Sequence, residues 1–314
     1  MTSTPSSSAA TSPAWTPSGS EEALAPYRAQ SAVTDPGEHA DLFATLPGDL
    51  PGLARVAGGL VVHYFADKWV LGHEVSPDRL GEIDTRAVRA MLARLRALDD
   101  SPLTQTRPLE RRLVGCCRDY AVLLCAMARY RGIPARLRVG FADYFLPGSR
   151  EDHAVAECWD AGAGRWRLID AQLGAPHLAF YRIAFDPLDV PRDRFLVGGR
   201  AWRMCRQGQA DPNRFGISVP GAPRGWPFLR SRLLLDLAAL SRKEMLQWDG
   251  WGPEPDAAAF VLLDEAARLT EGDVAPGAVR DFLTDHPELA VPPVVRSFSP
   301  AVGPREVALE PVPS

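Results

Sequence analysis

Residues 115–141, GCCRDYAVLLCAMARYRGIPARLRVGF, followed by residues 151–172, EDHAVAECWDAGAGRWRLIDAQ, decide the reading of this chain, because they offer Cys117, His153 and Asp170 in that order. Between Asp119 and Ala128 nearly every side chain is apolar and neither Gly nor Pro interrupts, while Gly132 and Pro134 follow as a stop signal. That pattern predicts a buried helix. Cys117 falls at its N-terminus, after the permissive Gly115. Unpaired backbone N–H groups and the positive end of the helix dipole favour a thiolate there, lowering a thiol from its free pKa of about 8.5. The same amides are suited to an acyl-transfer oxyanion.

Downstream, Arg136 and Arg138 alternate with Leu137, Val139 and Phe141, a strand pattern. Two further strands are expected to form a hairpin across Ala161-Gly162-Ala163-Gly164. His153, Val155, Glu157 and Trp159 share one face of the first strand; Trp166, Leu168 and Asp170 share one face of the second. Pairing Asp160 with Arg165 sets Trp159 opposite Trp166, Val155 opposite Asp170 and His153 opposite Gln172. His153 and Asp170 are then diagonal neighbours, roughly 7–8 Å apart at the backbone. A one-residue slip would put them on opposite faces.

Gly115-Cys116-Cys117-Arg118-Asp119, then Gly132-Ile133-Pro134-Ala135-Arg136, His153 and the strand from Trp166 to Asp170 resemble the transglutaminase-like superfamily, in particular its bacterial branch with a G-x-C-R-D helix start. The resemblance covers roughly residues 105–175. It implies an α+β fold with a papain-like core, in which a Cys-bearing helix packs on an antiparallel sheet, here with additional N- and C-terminal helices. It further implies amide hydrolysis or transfer through a thioester, with Cys117 as nucleophile, His153 as base and Asp170 as its orienter. Ala154 and Glu157 fit the family's H-A-W-x-E pattern, but Val155 stands where Trp is expected, which opens that wall of the pocket. Cys116 directly precedes the nucleophile and is a second candidate thiol.

Other residues near this constellation carry weaker signals. Arg118 is expected to pair with a carboxylate, and Asp119 to favour the helix dipole. Gln172 is placed to hydrogen-bond near His153, and Tyr144 and Phe145 to border the cleft. His63, in an apolar stretch expected to be helical, reads first as a satisfied, half-buried ring; its functional reading is to line an acyl pocket with Tyr64 and Trp69. His39, His73, His177 and His286 read as loop or surface groups. Cys125, Cys158 and Cys205 read as structural thiols. Trp248, Asp249 and Trp251 are the specificity candidates if the C-terminal helices border the cleft.

The chain has 314 residues, 46% of them hydrophobic, and a net charge of −4. That composition supports a sizeable core and gives no reason to expect nucleic acid or an anionic membrane as partner. Five cysteines without regular spacing suit a reducing compartment rather than a disulfide framework or zinc site. No cofactor or metal is implied. The start, rich in Ser, Thr, Pro and Ala, has neither a basic n-region nor an apolar h-region, and no apolar run approaches a bilayer span, so a cytoplasmic location is expected.

The expected organisation is a disordered tail over 1–22, a catalytic core over 40–180, a loop-rich and helical extension over 181–290, and a Pro-rich tail over 291–314. Helices are expected over 49–72, 82–98, 200–207, 226–248, 255–271 and 276–285. The expected function is that of a cysteine-dependent acyltransferase or amidohydrolase acting on a peptide, protein or small-molecule amide, with water or an amine as acyl acceptor. A catalytically inactive binding or scaffold protein of the same fold is the alternative. A tailoring enzyme that forms an amide on a carrier-bound acyl group would use the same triad.

Overall fold

A computed structural model describes residues 19–219, 221–254, 256–273 and 275–309. Most of the tail expected over 1–22 lies outside the described residues, but its end is a helix, α1 (Glu21–Arg28), capped by Ser20, whose hydroxyl accepts from the Ala23 amide at 3.2 Å. Helix α2 (Leu50–Leu60) starts at Asp49, whose carboxylate caps Gly52 N–H. The helix expected to run on to residue 72 stops there. Val61–His63 is instead strand β1, followed by the one-turn helix α3 (Asp67–Val70). The β-branched Val61-Val62 pair follows Gly58-Gly59 and finds a parallel partner, which outweighs the apolar run's helical appearance.

The amphipathic helix α4 (Val88–Leu98) buries Val88, Met91, Leu92 and Leu95, the stripe its periodicity predicts. Strand β2 (Leu113–Gly115) then pairs with β1 in register Val61–Leu113, Val62–Val114 and His63–Gly115. The buried helix α5 (Cys117–Tyr130) follows at once.

The main sheet comprises β3 (Ala135–Ala142), β4 (Arg150–Asp160), β5 (Arg165–Ile169) and, beyond the helix α6 (Ala175–Tyr181), β6 (Phe195–Val197), in the order β5-β4-β3-β6. The β4–β5 hairpin has the expected register: Asp160 pairs with Arg165 and Trp159 with Trp166. Helix α7 (Gly198–Arg206) leads to β7 (Phe215–Gly216), which adds to β4 in parallel. Thus two strands from the segment read as an extension complete the main sheet.

Ala135, Leu137 and Val139 of β3 and Ala154, Ala156 and Cys158 of β4 join the core around α5. The alternate side chains Arg136, Arg138 and Glu157 are equally buried. Glu157 receives Arg136 at 2.6 Å, Arg138 at 3.0 Å and Arg192 at 2.6 Å, while Arg138 also grips Asp236 at 2.9 and 3.0 Å. Burial alone would raise the Glu157 carboxyl; the three guanidiniums hold it well below the usual carboxylate range. Tyr27 and Trp166 cover the cluster, with the Arg136 guanidinium 5.2 and 4.1 Å from their ring centroids.

Helix α8 (Trp226–Leu240) ends eight residues earlier than expected, where Arg242 takes a left-handed φ of 65°. Residues 241–248 form an irregular strap that leads to β8 (Asp249–Gly250). Helices α9 (Ala257–Thr270) and α10 (Pro276–Asp285) match their expected positions. The expected Pro-rich tail from 291 is corrected by a hairpin, β9 (Val294–Ser299) and β10 (Gly303–Ala308), which extends β8 into a three-stranded sheet. VVRSFS alternates, burying Val295, Ser297 and Ser299, and Gly303 supplies the turn at φ 77°. Pro292, Pro293 and Pro300 flank the strands, while Pro304 stands opposite Phe298 near the start of β10, an edge strand that tolerates it. This hairpin backs the strap, with Phe298 N–H bonded to Trp248 C=O at 2.9 Å.

Candidate active site

Cys117 is the first residue of α5, delivered there by the β1–β2 pair. A side chain at Gly115 would meet Asp119 Oδ2 at 2.7 Å and Val61 at 3.0 Å, so the close approach of strand and helix start needs glycine. Cys116 is the N-cap. Its side chain accepts from the Asp119 amide, and Asp119 Oδ2 accepts from Cys116 N–H at 2.8 Å. Arg118 pairs with Asp119 at 2.9 Å, as expected of a carboxylate partner, and also binds the carbonyls of Arg86, Glu244 and Met245.

The two neighbouring thiols are driven apart. The Cys117 thiol lies well below its ordinary range: the Cys116 thiol hydrogen-bonds to it, and hydrogen bonds from His153 and His63 with the charge of His153 act against burial. That same hydrogen bond to Cys117, together with burial, pushes Cys116 well up. Burial pushes Cys125 and Cys205 up to about 12 and Cys158 well above its ordinary value.

His153 stands on β4 and Asp170 just beyond β5, with Nε2 and Oδ2 2.8 Å apart. Nε2 being taken, Nδ1 is the ring nitrogen left for Cys117. Asp170 Oδ2 also accepts from Tyr144 O–H at 2.8 Å, and Oδ1 accepts from Gln172 N–H at 3.1 Å. Burial would lower His153; the charge and hydrogen bond of Asp170, and then those of Cys117, push it up to about 10. Burial and the Asp170 charge push the Tyr144 hydroxyl well up, so it remains a donor. Phe145, Tyr144 and Phe195 ring the imidazole edge-on, with centroids at 4.9, 6.0 and 6.2 Å. These rings fix its plane and exclude water.

His63 approaches the thiol from β1. Its Nδ1 accepts from the amides of Phe65 at 3.2 Å and Ala66 at 3.1 Å, so the ring proton belongs on Nε2. The backbone of the same residue is tied to Asp67 Oδ2 at 2.7 Å. Asp67 Oδ1 meets His177 Nε2 at 2.8 Å. His177, read as a surface group, is therefore buried beside the site. Tyr64 stacks on His63 at 5.2 Å, and Trp248 meets Tyr64 edge-on at 6.5 Å while donating to Asp84 at 3.0 Å. Trp248 thus stands behind Tyr64 and His63. Trp69 is 62% exposed and lines no enclosed pocket.

A residue that the sequence reading passed over touches the sulfur. Gln247, on the strap, donates from Nε2 to Cys117 Sγ at 3.5 Å. Arg232 of α8 holds the Gln247 carbonyl at 2.9 Å and clamps Asp152, the neighbour of His153, at 2.5 and 2.8 Å. Burial pushes Asp152 up to about 6 against the pull of Arg232. No local signal marks Gln247, since a stretch of leucines and alanines upstream assigns it to the end of a helix. The structure therefore brings Cys116, His63, His153 and Gln247 to the Cys117 sulfur, with Asp170, Tyr144 and the backbone of Gln172 behind His153 and Arg118 behind Asp119. The side-chain carbonyl of Gln172 is buried without a partner among the described residues, rather than bonded to His153.

Among the described residues no group of three or more His, Cys, Asp or Glu side chains could hold a metal ion, and no helix is long and apolar enough to cross a membrane. Comparison with curated proteins returns no match. A solved structure of a candidate cysteine protease from Cytophaga hutchinsonii is similar at 17% identity and a TM-score of 0.31, over 48% of this chain and 42% of that one. The chain thus spans less than half of that protein. The family model of the transglutaminase-like superfamily matches residues 89–171, a segment that runs from α4 through the helix bearing Cys117 and the hairpin bearing His153 and Asp170. The fold is α+β, with the helix of Cys117 packed on an antiparallel sheet, and its residues 89–171 form a transglutaminase-like domain.

Proposed function

We propose that the protein is a cysteine-dependent acyltransferase or amidohydrolase that attacks a carboxamide or peptide carbonyl through a Cys117–His153–Asp170 triad. The observation that carries this reading is the pairing of a thiol held low at a helix N-terminus with an imidazole held up to about 10 by a carboxylate 2.8 Å away. Such a pair is a thiolate and an imidazolium at neutral pH, ready to attack and to protonate.

The steps follow from these roles. Cys117 thiolate adds to the carbonyl carbon, and the oxygen takes up the negative charge beside the start of α5. The imidazolium of His153 gives its proton to the departing amine as the C–N bond breaks, leaving a thioester and a neutral imidazole. His153 then takes a proton from the incoming water or amine, which attacks the thioester and releases Cys117 as thiolate. Asp170, fixed by Tyr144 and the Gln172 amide, keeps the imidazole oriented and stabilises its charge throughout. The substrate is a peptide, protein or small-molecule amide, the acceptor is water or an amine, and neither cofactor nor metal enters the scheme. Five unpaired cysteines suit work in the reducing cytoplasm.

The test is a screen of carboxamides and short peptides in the presence of a labelled primary amine, with mass spectrometry of the intact protein. The expected result is a transient acyl adduct on Cys117 that decays to the free acid or to the labelled amide as water or the amine resolves it, and that is absent from Cys117→Ala. Turnover retained in Cys117→Ala would overturn the mechanism, and a complete lack of adduct or product would favour a non-catalytic scaffold.

A further inference from the structure

We propose that Gln247 is a specificity-determining residue that selects acyl donors carrying an N–H beside the reacting carbonyl and rejects the matching esters. This rests on the acyl-transfer reading of Cys117. The side chain is 5% exposed, and the two ends of its carboxamide differ sharply in their surroundings. Nε2 donates to Cys117 Sγ at 3.5 Å. Oε1, on the same carbon and hence beside the same sulfur, is buried with no hydrogen-bond partner among the described residues. The reverse orientation would set a carbonyl oxygen against a thiolate, so the chemistry of the sulfur fixes which end is left over.

Nor can the strap readily turn that oxygen away. Arg118 binds the carbonyls of Glu244 and Met245 at 2.7 and 2.9 Å, and Arg232 binds the carbonyl of Gln247 at 2.9 Å. Asp249, itself clamped by Arg86 at 2.6 and 2.9 Å, accepts from Leu246 N–H at 3.0 Å. Gln247 is thus presented from both sides with an acceptor waiting beside the nucleophile. An acyl donor whose carbonyl carbon reaches Sγ brings its leaving group into that space. An amide N–H satisfies Oε1; an ester oxygen, which can only accept, sets lone pairs against it. Sites built around a buried hydrogen-bonding group discriminate strongly against analogues that cannot complete the bond.

The experiment compares an anilide and an aryl ester of one acyl group, both releasing a chromophore, in the full-length wild type, Gln247→Met and Gln247→Glu. Taking the ratio of kcat/KM values cancels the greater intrinsic reactivity of the ester. Gln247→Met loses the acceptor, and its anilide-to-ester ratio is expected to fall about 10²-fold. Gln247→Glu keeps an acceptor oxygen and loses the donor, so both rates fall together and the ratio stays within about threefold of wild type. Iodoacetamide labelling of Cys117 in preference to the other four thiols in each variant establishes that the site is folded. An unchanged ratio in labelled, folded Gln247→Met, or an equal fall of the ratio in both variants, would overturn the assignment of Gln247 alone. Failure of the wild type to turn over either substrate would overturn the acyl-transfer reading and this inference with it.

Discussion

Two histidines address Cys117, and they are held in opposite ways. His153 gives Nε2 to the carboxylate of Asp170, whereas His63 takes two backbone amides onto Nδ1. A carboxylate stabilises the positive ring and lets the imidazole gain and lose a proton at its free nitrogen. Two amides do the reverse: they demand a lone pair on Nδ1 and leave a proton fixed on Nε2. In the proposed mechanism the same side chain is therefore a proton shuttle on one side of the sulfur and a stationary donor on the other. What separates them is the partner, not the distance to the nucleophile.

The comparison predicts a graded series of losses. Removing the shuttle is the most severe: His153→Ala should lower kcat by about 10⁴-fold or more, as should Cys117→Ala, with thermal unfolding showing that both proteins fold. Next comes Asp170→Asn, expected to cost about 10²- to 10⁴-fold in kcat because the shuttle loses its counter-charge. His63→Phe should be milder, about 10²-fold, and should move the midpoint of Cys117 alkylation upward by less than His153→Ala does. If His63→Phe equals His153→Ala in both readouts, the division of labour between the rings is wrong. Smallest is Tyr144→Phe, about tenfold, since Asp170 keeps the Gln172 amide and His153 when one hydroxyl is lost.

The pH dependence sharpens the same contrast. Cys117 is lowered and His153 is raised to about 10, so the ion pair exists between those limits. Turnover should fall on the acid side as the thiolate is protonated, and on the alkaline side near 10 as the imidazolium loses the proton it must donate. For stability, the folded His153 binds its proton more tightly than the unfolded chain, where the pKa is about 6.5. Its contribution is complete below about 6.5 and disappears as pH rises through about 10. Unfolding of His153→Ala followed by denaturant should lack that slope.

The legible parts of this site share one property: each is local in sequence. The helix of Cys117 is announced by an apolar run with a Gly and Pro stop, and the hairpin register by two alternating strands about a glycine-rich turn. Once the register is right, His153 and Asp170 must meet. The illegible parts are those in which a distant segment supplies the partner. Arg136 and Arg138 alternate with apolar residues as on a solvent-facing strand, yet both are buried, because Glu157 and Asp236 arrive from β4 and α8 to pair with them. His63 looked helical because its pairing strand lies more than 50 residues downstream, at Leu113–Gly115. Gln247 escaped notice because its meaning depends on Arg118, Arg232 and Asp249 turning the end of an apolar helix into a strap. The terminal hairpin is hidden by its prolines, of which Pro292, Pro293 and Pro300 flank the strands and Pro304 enters only the edge strand β10.

The most direct measurement is the rate of iodoacetamide labelling of each cysteine against pH, located by peptide mass spectrometry, in wild type and His153→Ala. Labelling of Cys117 alone well below pH 8, with its midpoint moved up by the substitution while Cys116, Cys125, Cys158 and Cys205 stay slow in both proteins, is the result this account predicts. Labelling of Cys117 no faster than the other four thiols, or a midpoint indifferent to His153, would contradict it.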